Sequence, residues 1–393
     1  MVTQREAAVA VGVSGATLRR WIAAGVIPEY GGEWTPAALG KARMVARLRE
    51  RRYTLQQIRD ATDEGRLAFG QVLELFGDQH SSRSPRQAAA EAGLEPAVAS
   101  QVMQALGMRR GDRVSDGDVR LLRYVAAALD AGFPIEAVLQ LMRVYGQAVG
   151  QIADAEVRLV HMYVHEPMMR AGSGADEMAQ ELTDLVGDVL PLSALMIDEF
   201  HWRLLAQFIE QDVVGHMDAE LEPSHGDIGR VRVAVAFADL AGYTQLTEEQ
   251  GELTALDAVG RFLGLVTSTL PDEARVIKTI GDEVMVVGAD PAALAGWAVA
   301  VQRRQRRQRG QPLPRIGIHH GQALYRDGDY YGRAVNLASR VAARSGAGEV
   351  LVTRPIVEAA GDELRFERID EAELRGFAAP TEIFRAAAPP PSK

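Results

Sequence analysis

The stretch "VIKTIGDEVMVV", residues 276–287, decides how the second half of the chain reads. Val276 and Ile277 before the turn, and Val284, Val286 and Val287 after it, supply apolar pairing surface for two strands joined by a four-residue turn. Lys278, Asp282 and Glu283 crowd the apex. On its own such a hairpin is most simply a solvated turn, because Gly-Asp is common turn chemistry and charged tips are ordinary.

Outward from the hairpin the pattern gains meaning. From about residue 230, short Val/Ile runs alternate with helical segments, which predicts a sheet covered by helices. "RVRVAVAFADLAGYTQL", residues 230–246, is a strand entering a loop with Asp239 and Gly242, followed by a helix from about residue 244. Free backbone N–H groups at a helix start attract phosphate, and a carboxylate beside them suits the metal that accompanies a polyphosphate. Asp239 at a strand end and Asp282 at a hairpin tip are positions one sheet can bring together. Two such carboxylates can clamp two Mg²⁺ ions about 4 Å apart.

The segments "FADLAGYTQL" (237–246), "IKTIGDEVMV" (277–286) and "RIGIHHGQALYRDGDYYGRAVNLASRV" (315–341) resemble, in order and spacing, the class III nucleotide cyclase catalytic domain, over about residues 230–386. The resemblance implies an α+β, ferredoxin-like domain. It implies that Asp239 and Asp282 bind two Mg²⁺ or Mn²⁺ per active site, and that Lys278 and Asp329 read adenine, which favours ATP over GTP. It further implies that Asn336 and Arg340, four apart in "VNLASR", hold the ribose and stabilise charge at the reacting phosphorus. Arg315 and Arg375 fall at positions where the family often holds the triphosphate, Arg375 where it often has Lys, and Gly242 before the helix start joins them as a substrate-binding candidate. Each site would lie across a homodimer interface, with Asp239 and Asp282 from one chain and Lys278, Asp329, Asn336 and Arg340 from the other. The implied reaction converts ATP to 3′,5′-cyclic AMP and pyrophosphate without a protein nucleophile.

The head of the chain has a different character. Residues 1–60 hold ten Lys/Arg against five Asp/Glu, whereas the whole chain carries a net charge of −10, so a basic head sits on an acidic body and predicts separate partners. "TQREAAVAVGVSGATLRRWIAAGVIP", residues 3–28, reads as helix, turn at Gly12, Ser14 cap and second helix with Arg19, Arg20 and Trp21. A Gly-Gly wing at 31 and 32, and helices capped by Thr35 and Thr54, follow. Glu6, Ala8, Gly12, Val13, Ser14, Thr17, Leu18, Arg19, Trp21, Gly25, Val26 and Ile27 match the pattern of MerR-type regulators, so residues 1–65 resemble their winged helix-turn-helix domain. That resemblance implies DNA as a partner, with Arg19 and Arg20 reaching bases or phosphates and Lys41 and Arg43 nearby. A transcription regulator whose cyclase-like half senses nucleotide is the alternative function, and a protein-binding module the alternative use of the fold.

Residues 66–217 read as an all-α regulatory and dimerisation domain, with breaks at 79–85, 109–118, Pro134, 170–176 and Pro191 and with Ser84, Ser115 or Asp116, and Ser173 as helix caps. His161 and His165, one turn apart, suit metal chelation or pH sensing, although no third ligand is evident. Met162, Met168, Met169, Met178 and Met196 serve either as core filling or as the lining of a pocket for a lipid-like ligand. "YTLQQIRDAT" (53–62), "AALDAGFPIEAVLQLMRV" (127–144) and "LPLSALMIDEF" (190–200) resemble the regulatory domain of acid-activated mycobacterial adenylyl cyclases, which implies control by pH or by a fatty-acid-like ligand. Residues 218–229, rich in Pro, Gly and charge, read as a linker, and 387–393 as a flexible tail.

Composition bounds the rest. The 393 residues are 47% hydrophobic and 24% charged, ordinary for a soluble multidomain protein. With no cysteine, disulfides, thiolate metal sites and cysteine nucleophiles are excluded. No leader and no membrane-length apolar run is evident, so the cytoplasm is the expected location.

Overall fold

Short polar residues set where the helices of the first half begin. The computed structural model describes residues 2–27, 33–34, 36–68, 70, 72, 83–108, 114–219, 229–377 and 379–389. The first elements are β1 (Val2–Thr3), α1 (Gln4–Val11), α2 (Gly15–Ala23), β2 (Glu33–Trp34), α3 (Pro36–Glu50) and α4 (Leu55–Asp63). They continue with α5 (Pro85–Ala92), α6 (Pro96–Ala105), α7 (Asp116–Asp130), α8 (Ile135–Val160), a π-helical turn (His161–His165), α9 (Glu166–Ala171) and α10 (Ala175–Ala219). Thr3, Ser14, Thr54, Ser84 and Ser115 each accept a backbone N–H from the first turn of α1, α2, α4, α5 and α7. Each such cap satisfies a donor the helix cannot, worth about 1 kcal/mol.

Gly12, at φ 78°, turns the chain between α1 and α2, and β1 pairs antiparallel with β2. Leu18, Trp21, Ile27, Trp34, Ala42 and Ile58 close a core of their own. A second core joins Ala88, Val102, Leu122 and Val138. A third joins Ala68, Val72, Met178, Leu182 and Val186, with Met168 and Met169 packed against it. Met162 and Met196 are exposed, so the five methionines do not line one pocket: some fill a core and others face solvent.

Two expected boundaries move. Pro191 does not break the helix but lies inside α10. One missing hydrogen bond and a clash with the preceding turn cost about 3 kcal/mol, and helix propagating on both sides of this exposed position absorbs them. Ser173 is not the cap of α10, whose first residue, Ala175, follows Gly174. The Gly31-Gly32 wing, Thr35, the breaks at 79–82 and 109–113, linker residues 220–228 and tail residues 390–393 lie outside the described residues.

The chain divides into two compact units, Met1–Arg203 and Leu204–Lys393, and α10 runs through the division. The second unit adds β3 (Arg230–Leu240), α11 (Tyr243–Gln250), α12 (Glu252–Ser268), β4 (Ala274–Ile280), β5 (Glu283–Gly288), α13 (Pro291–Arg307) and β6 (Pro314–Arg326). It ends with β7 (Asp329–Tyr331), α14 (Arg333–Arg344), β8 (Val350–Thr353), α15 (Arg354–Ala360), β9 (Arg365–Ala372) and β10 (Thr381–Ala387). The sheet order is β4-β5-β3-β6-β8-β10-β9, with β7 on β6; among the described residues only β6 and β8 pair in parallel. This is a mixed α+β sheet.

Strand β3 is buried on both faces, and its period of two divides the core. Ala234, Ala236 and Ala238 join Phe262, Val266, Leu294 and Trp297 under α12 and α13, whereas Val233, Val235 and Phe237 join Met285, Val335 and Ala338 under α14. Small residues let α14 lie close: a Cβ on Gly317 would sit 2.0 Å from the Ala342 nitrogen. The quoted hairpin closes through the expected four-residue turn, Ile280–Glu283, with Gly281 and Asp282 between the strands and Ile280 paired to Glu283. Gly281 at φ 65° makes that two-residue reversal, so Lys278 and Glu283 belong to strands.

Candidate active site

Three strands converge on one acidic cluster. Asp239 is the penultimate residue of β3 and is buried; its register partner on β6 is Arg315. Arg315 donates through Nε at 2.7 Å, and through Nη2, to Asp239 Oδ2. On the other side of β3, the β4–β5 turn sets the Asp282 carboxyl beside that of Asp239 and close to the backbone of Leu240. Burial first, and the neighbouring Asp239 second, push the Asp282 carboxyl up to about 6. Glu283 is also raised, by burial and then by Asp239, against the opposing pull of Arg315 and Lys278. Two hard oxygen donors that resist carrying charge side by side fit a divalent cation, which would relieve the repulsion.

A second cluster sits on the same hairpin. Lys278 of β4 donates to Asp329 Oδ2 at the start of β7, while Asp329 Oδ1 accepts the Tyr330 backbone N–H at 2.8 Å. Asn336 and Arg340 are exposed on one face of α14, whose opposite face carries Val335, Ala338 and Ala342 into the core. Gly242 precedes α11 at φ 80°, and Arg375 is exposed between β9 and β10. The fold therefore brings Asp239, Asp282 and Arg315 together and pairs Lys278 with Asp329. Asn336, Arg340 and Arg375 are exposed.

Sequence reading left two sets of contacts unforeseen, those of Arg275 with Tyr330 and those of His319, to which it assigned no role. Arg275 of β4 donates to the Tyr330 hydroxyl, although 55 positions separate them; only a register for β4 against β7 could have shown this. His319 is largely buried, meets Thr353 Oγ1 through Nδ1 at 2.8 Å, and is lowered to about 4 by burial, then by His320 and Arg333. It lines a cleft of about 710 Å³ with Arg230, Tyr331, Arg333 and Leu337.

In the first unit Arg19 and Arg20 are exposed on α2 beside buried Leu18 and Trp21. His165 is buried; its Nε2 lies 3.1 Å from the Gly65 carbonyl and its Nδ1 lies 3.2 Å from His161 Nδ1. Among the described residues no group of three or more His, Asp or Glu is arranged to hold a metal ion, and no helix is long and apolar enough to cross a membrane.

Comparison with known proteins accounts for both halves. Residues 34–207 match the adenylate cyclase regulatory domain, and residues 229–385 match the adenylate and guanylate cyclase catalytic domain. A pH-sensitive adenylate cyclase of Mycobacterium tuberculosis is 30% identical over 359 residues, covering 88% of this chain and 87% of that one. An adenylate cyclase of Streptomyces coelicolor is 28% identical, covering 76% of this chain and 77% of its own. Among solved structures, an adenylyl cyclase from P. aeruginosa is 26% identical, with a TM-score of 0.38, over 41% of this chain and 96% of its own. The regulatory match begins at Trp34, inside the predicted helix-turn-helix region, and neither domain match includes residues 1–33. With that identity sustained along nearly all of both chains, this protein belongs to the adenylate cyclase family and joins a regulatory domain to a cyclase catalytic domain.

Proposed function

We propose that the chain converts ATP to 3′,5′-cyclic AMP and pyrophosphate at sites completed by two copies. The observation that carries this reading is the pairing of two clusters on one hairpin: a carboxylate pair at Asp239 and Asp282, and a base-reading pair at Lys278 and Asp329. Asp239 and Asp282 would hold two Mg²⁺ or Mn²⁺ ions, which when bound supply Lewis-acid charge and a lowered pKa for the ribose 3′-hydroxyl. Lys278 donates to a ring nitrogen of adenine, and Asp329 accepts from its exocyclic amine. Asn336 orients the ribose, and Arg340 meets the charge that develops at the α-phosphate. Arg315 and Arg375 balance the triphosphate, and Gly242 leaves the start of α11 open to it.

Asn336 and Arg340 are exposed on α14, which supports their serving a site shared with a second copy. Exposed apolar residues on α8 and α10, including Tyr145, Ile152, Leu195 and Phe200, supply a dimer surface in the regulatory half. Product analysis after incubation with ATP or GTP and divalent metal tests the reading. Cyclic AMP from ATP, lost in Asp239→Ala, is expected; an Asp239→Ala variant of normal activity contradicts it.

Two readings of the first unit rest on specific contacts. The His161–His165–Gly65 contact, together with a relative named pH-sensitive, supports an acid response of the cyclase. Activity that stays flat between pH 5.5 and 8 contradicts it. The basic, exposed face of α2 supports a DNA-binding role for a MerR-like winged domain at residues 1–65. Duplex binding that falls steeply between low salt and 200 mM, and that Arg19→Ala with Arg20→Ala removes, is expected; no binding at low salt contradicts it.

A further inference from the structure

We propose that Arg275 is a positioning residue for base recognition, holding Asp329 in place through Tyr330, and that Phe208 near the end of α10 holds Arg275 in turn. The proposal rests on the reading that Lys278 and Asp329 contact adenine.

Strand β7, which presents Asp329, is only three residues long. Left-handed backbone brackets it, with Asp327 at φ 53° and Gly328 at φ 79° before it and Gly332 at φ 118° after it. Three register pairs with β6 secure it on one side. A segment so short, between residues so permissive, needs another tie if a carboxylate on it is to keep a fixed aim.

The tie comes from β4. Arg275 donates to the hydroxyl of Tyr330, whose ring is buried against the core and stands 5.1 Å from the Tyr325 ring. The Tyr330 backbone N–H then fixes Asp329 Oδ1, leaving Oδ2 for Lys278, three residues beyond Arg275 on β4. One strand thus holds β7 at two points, through Tyr330 and through Asp329 itself. The Arg275 guanidinium is also flanked by rings, 5.8 Å from the Tyr330 centroid and 5.6 Å from that of Phe208. Phe208 lies in the part of α10 that belongs to the catalytic unit, so the end of the long helix bears on the group that steadies the base-reading carboxylate. A guanidinium suits this post, since its plane stacks between rings while its fork still donates to the hydroxyl.

The test is steady-state kinetics of the full chain with ATP and with GTP. Arg275→Met and Tyr330→Phe each raise KM for ATP about tenfold and lower the preference for ATP over GTP by a similar factor, with kcat within about twofold. The double variant is no worse than either single one, as two members of one link should be. Arg275→Lys, which can still donate, restores part of the loss, and Phe208→Ala shows the same split at about threefold. A fall in kcat with KM and the ATP:GTP ratio unchanged, additive losses in the double variant, or Phe208→Ala at wild-type values would overturn the proposal. Lys278→Glu with Asp329→Cys is the control. If that pair of changes leaves the purine preference intact, the base-reading assignment fails, and the Arg275 result is judged apart from it.

Discussion

The catalytic unit and the regulatory helices solve the problem of apolar surface in opposite ways. Around β3 the sheet is covered on both faces, and residues such as Phe262, Leu294, Ile316 and Ile318 are wholly enclosed. Along α8 and α10, by contrast, Tyr145, Val149, Ile152, Leu192, Leu195, Met196 and Phe200 face solvent. Burying one such side chain is worth about 1.5–3 kcal/mol, so a helix that leaves this many in water is built to be covered. A domain complete in its core but incomplete in its site thus shares a chain with helices complete in neither sense. On the proposed function, the regulatory half supplies association and the catalytic half supplies chemistry that association completes.

The hardest way to break that contrast is inside the acidic cluster. If Asp239 is a cation ligand, Asp239→Ala lowers turnover by about a thousandfold or more, with far-UV circular dichroism checking that the fold survives loss of the Arg315 pair. Next in size, Leu195→Asp with Phe200→Asp places charge on the uncovered face of α10. It shifts the protein to monomer by light scattering and lowers activity about a hundredfold at dilute concentration, with activity recovering as concentration rises. Loss of activity without dissociation would mean that the face serves some other contact.

Gly317→Ala probes how the catalytic unit positions α14. The added methyl would collide with the Ala342 backbone, so the helix bearing Asn336 and Arg340 must move. The expected result is a loss of about 1–3 kcal/mol in denaturant unfolding and an activity drop larger than stability alone explains.

The smallest effect is a titration. His319 is lowered to about 4 by burial, below the ordinary range near 6.5. The unfolded chain therefore takes up a proton that the native state refuses, and stability is fully present above about pH 6.5 and lost as pH falls toward 4. Between pH 7.5 and 5 the wild type should lose about 2 kcal/mol that His319→Gln does not. Equal losses in both would show that His319 is not the group responsible.

These contrasts also mark what the sequence could and could not convey. The strands of "FADLAGYTQL" and "IKTIGDEVMV" were readable because apolar patterning is local, whereas the roles expected of their Asp residues came from the family resemblance. The caps at Ser14, Thr54, Ser84 and Ser115 were readable because they too are local. Pro191 misled because a local helix breaker was outweighed by helix on both sides, which no short window reveals. The hairpin turn was readable because Gly281 can take the positive φ that a tight reversal requires. The methionines scattered because helical spacing says which residues share a face and nothing about which face is covered. The Arg275–Tyr330 link joins strands far apart in the chain, and no pattern within either strand announces it.

The claim on which the rest depends is that each site takes its carboxylates from one copy and its ribose-binding pair from the other. Chains carrying Asp239→Ala and Asn336→Ala, differently tagged, co-expressed and purified through both tags, test it directly. Each such dimer should keep one intact site and about half the wild-type activity, although either variant alone is inactive. Mixed dimers as inactive as the two parents would contradict the account.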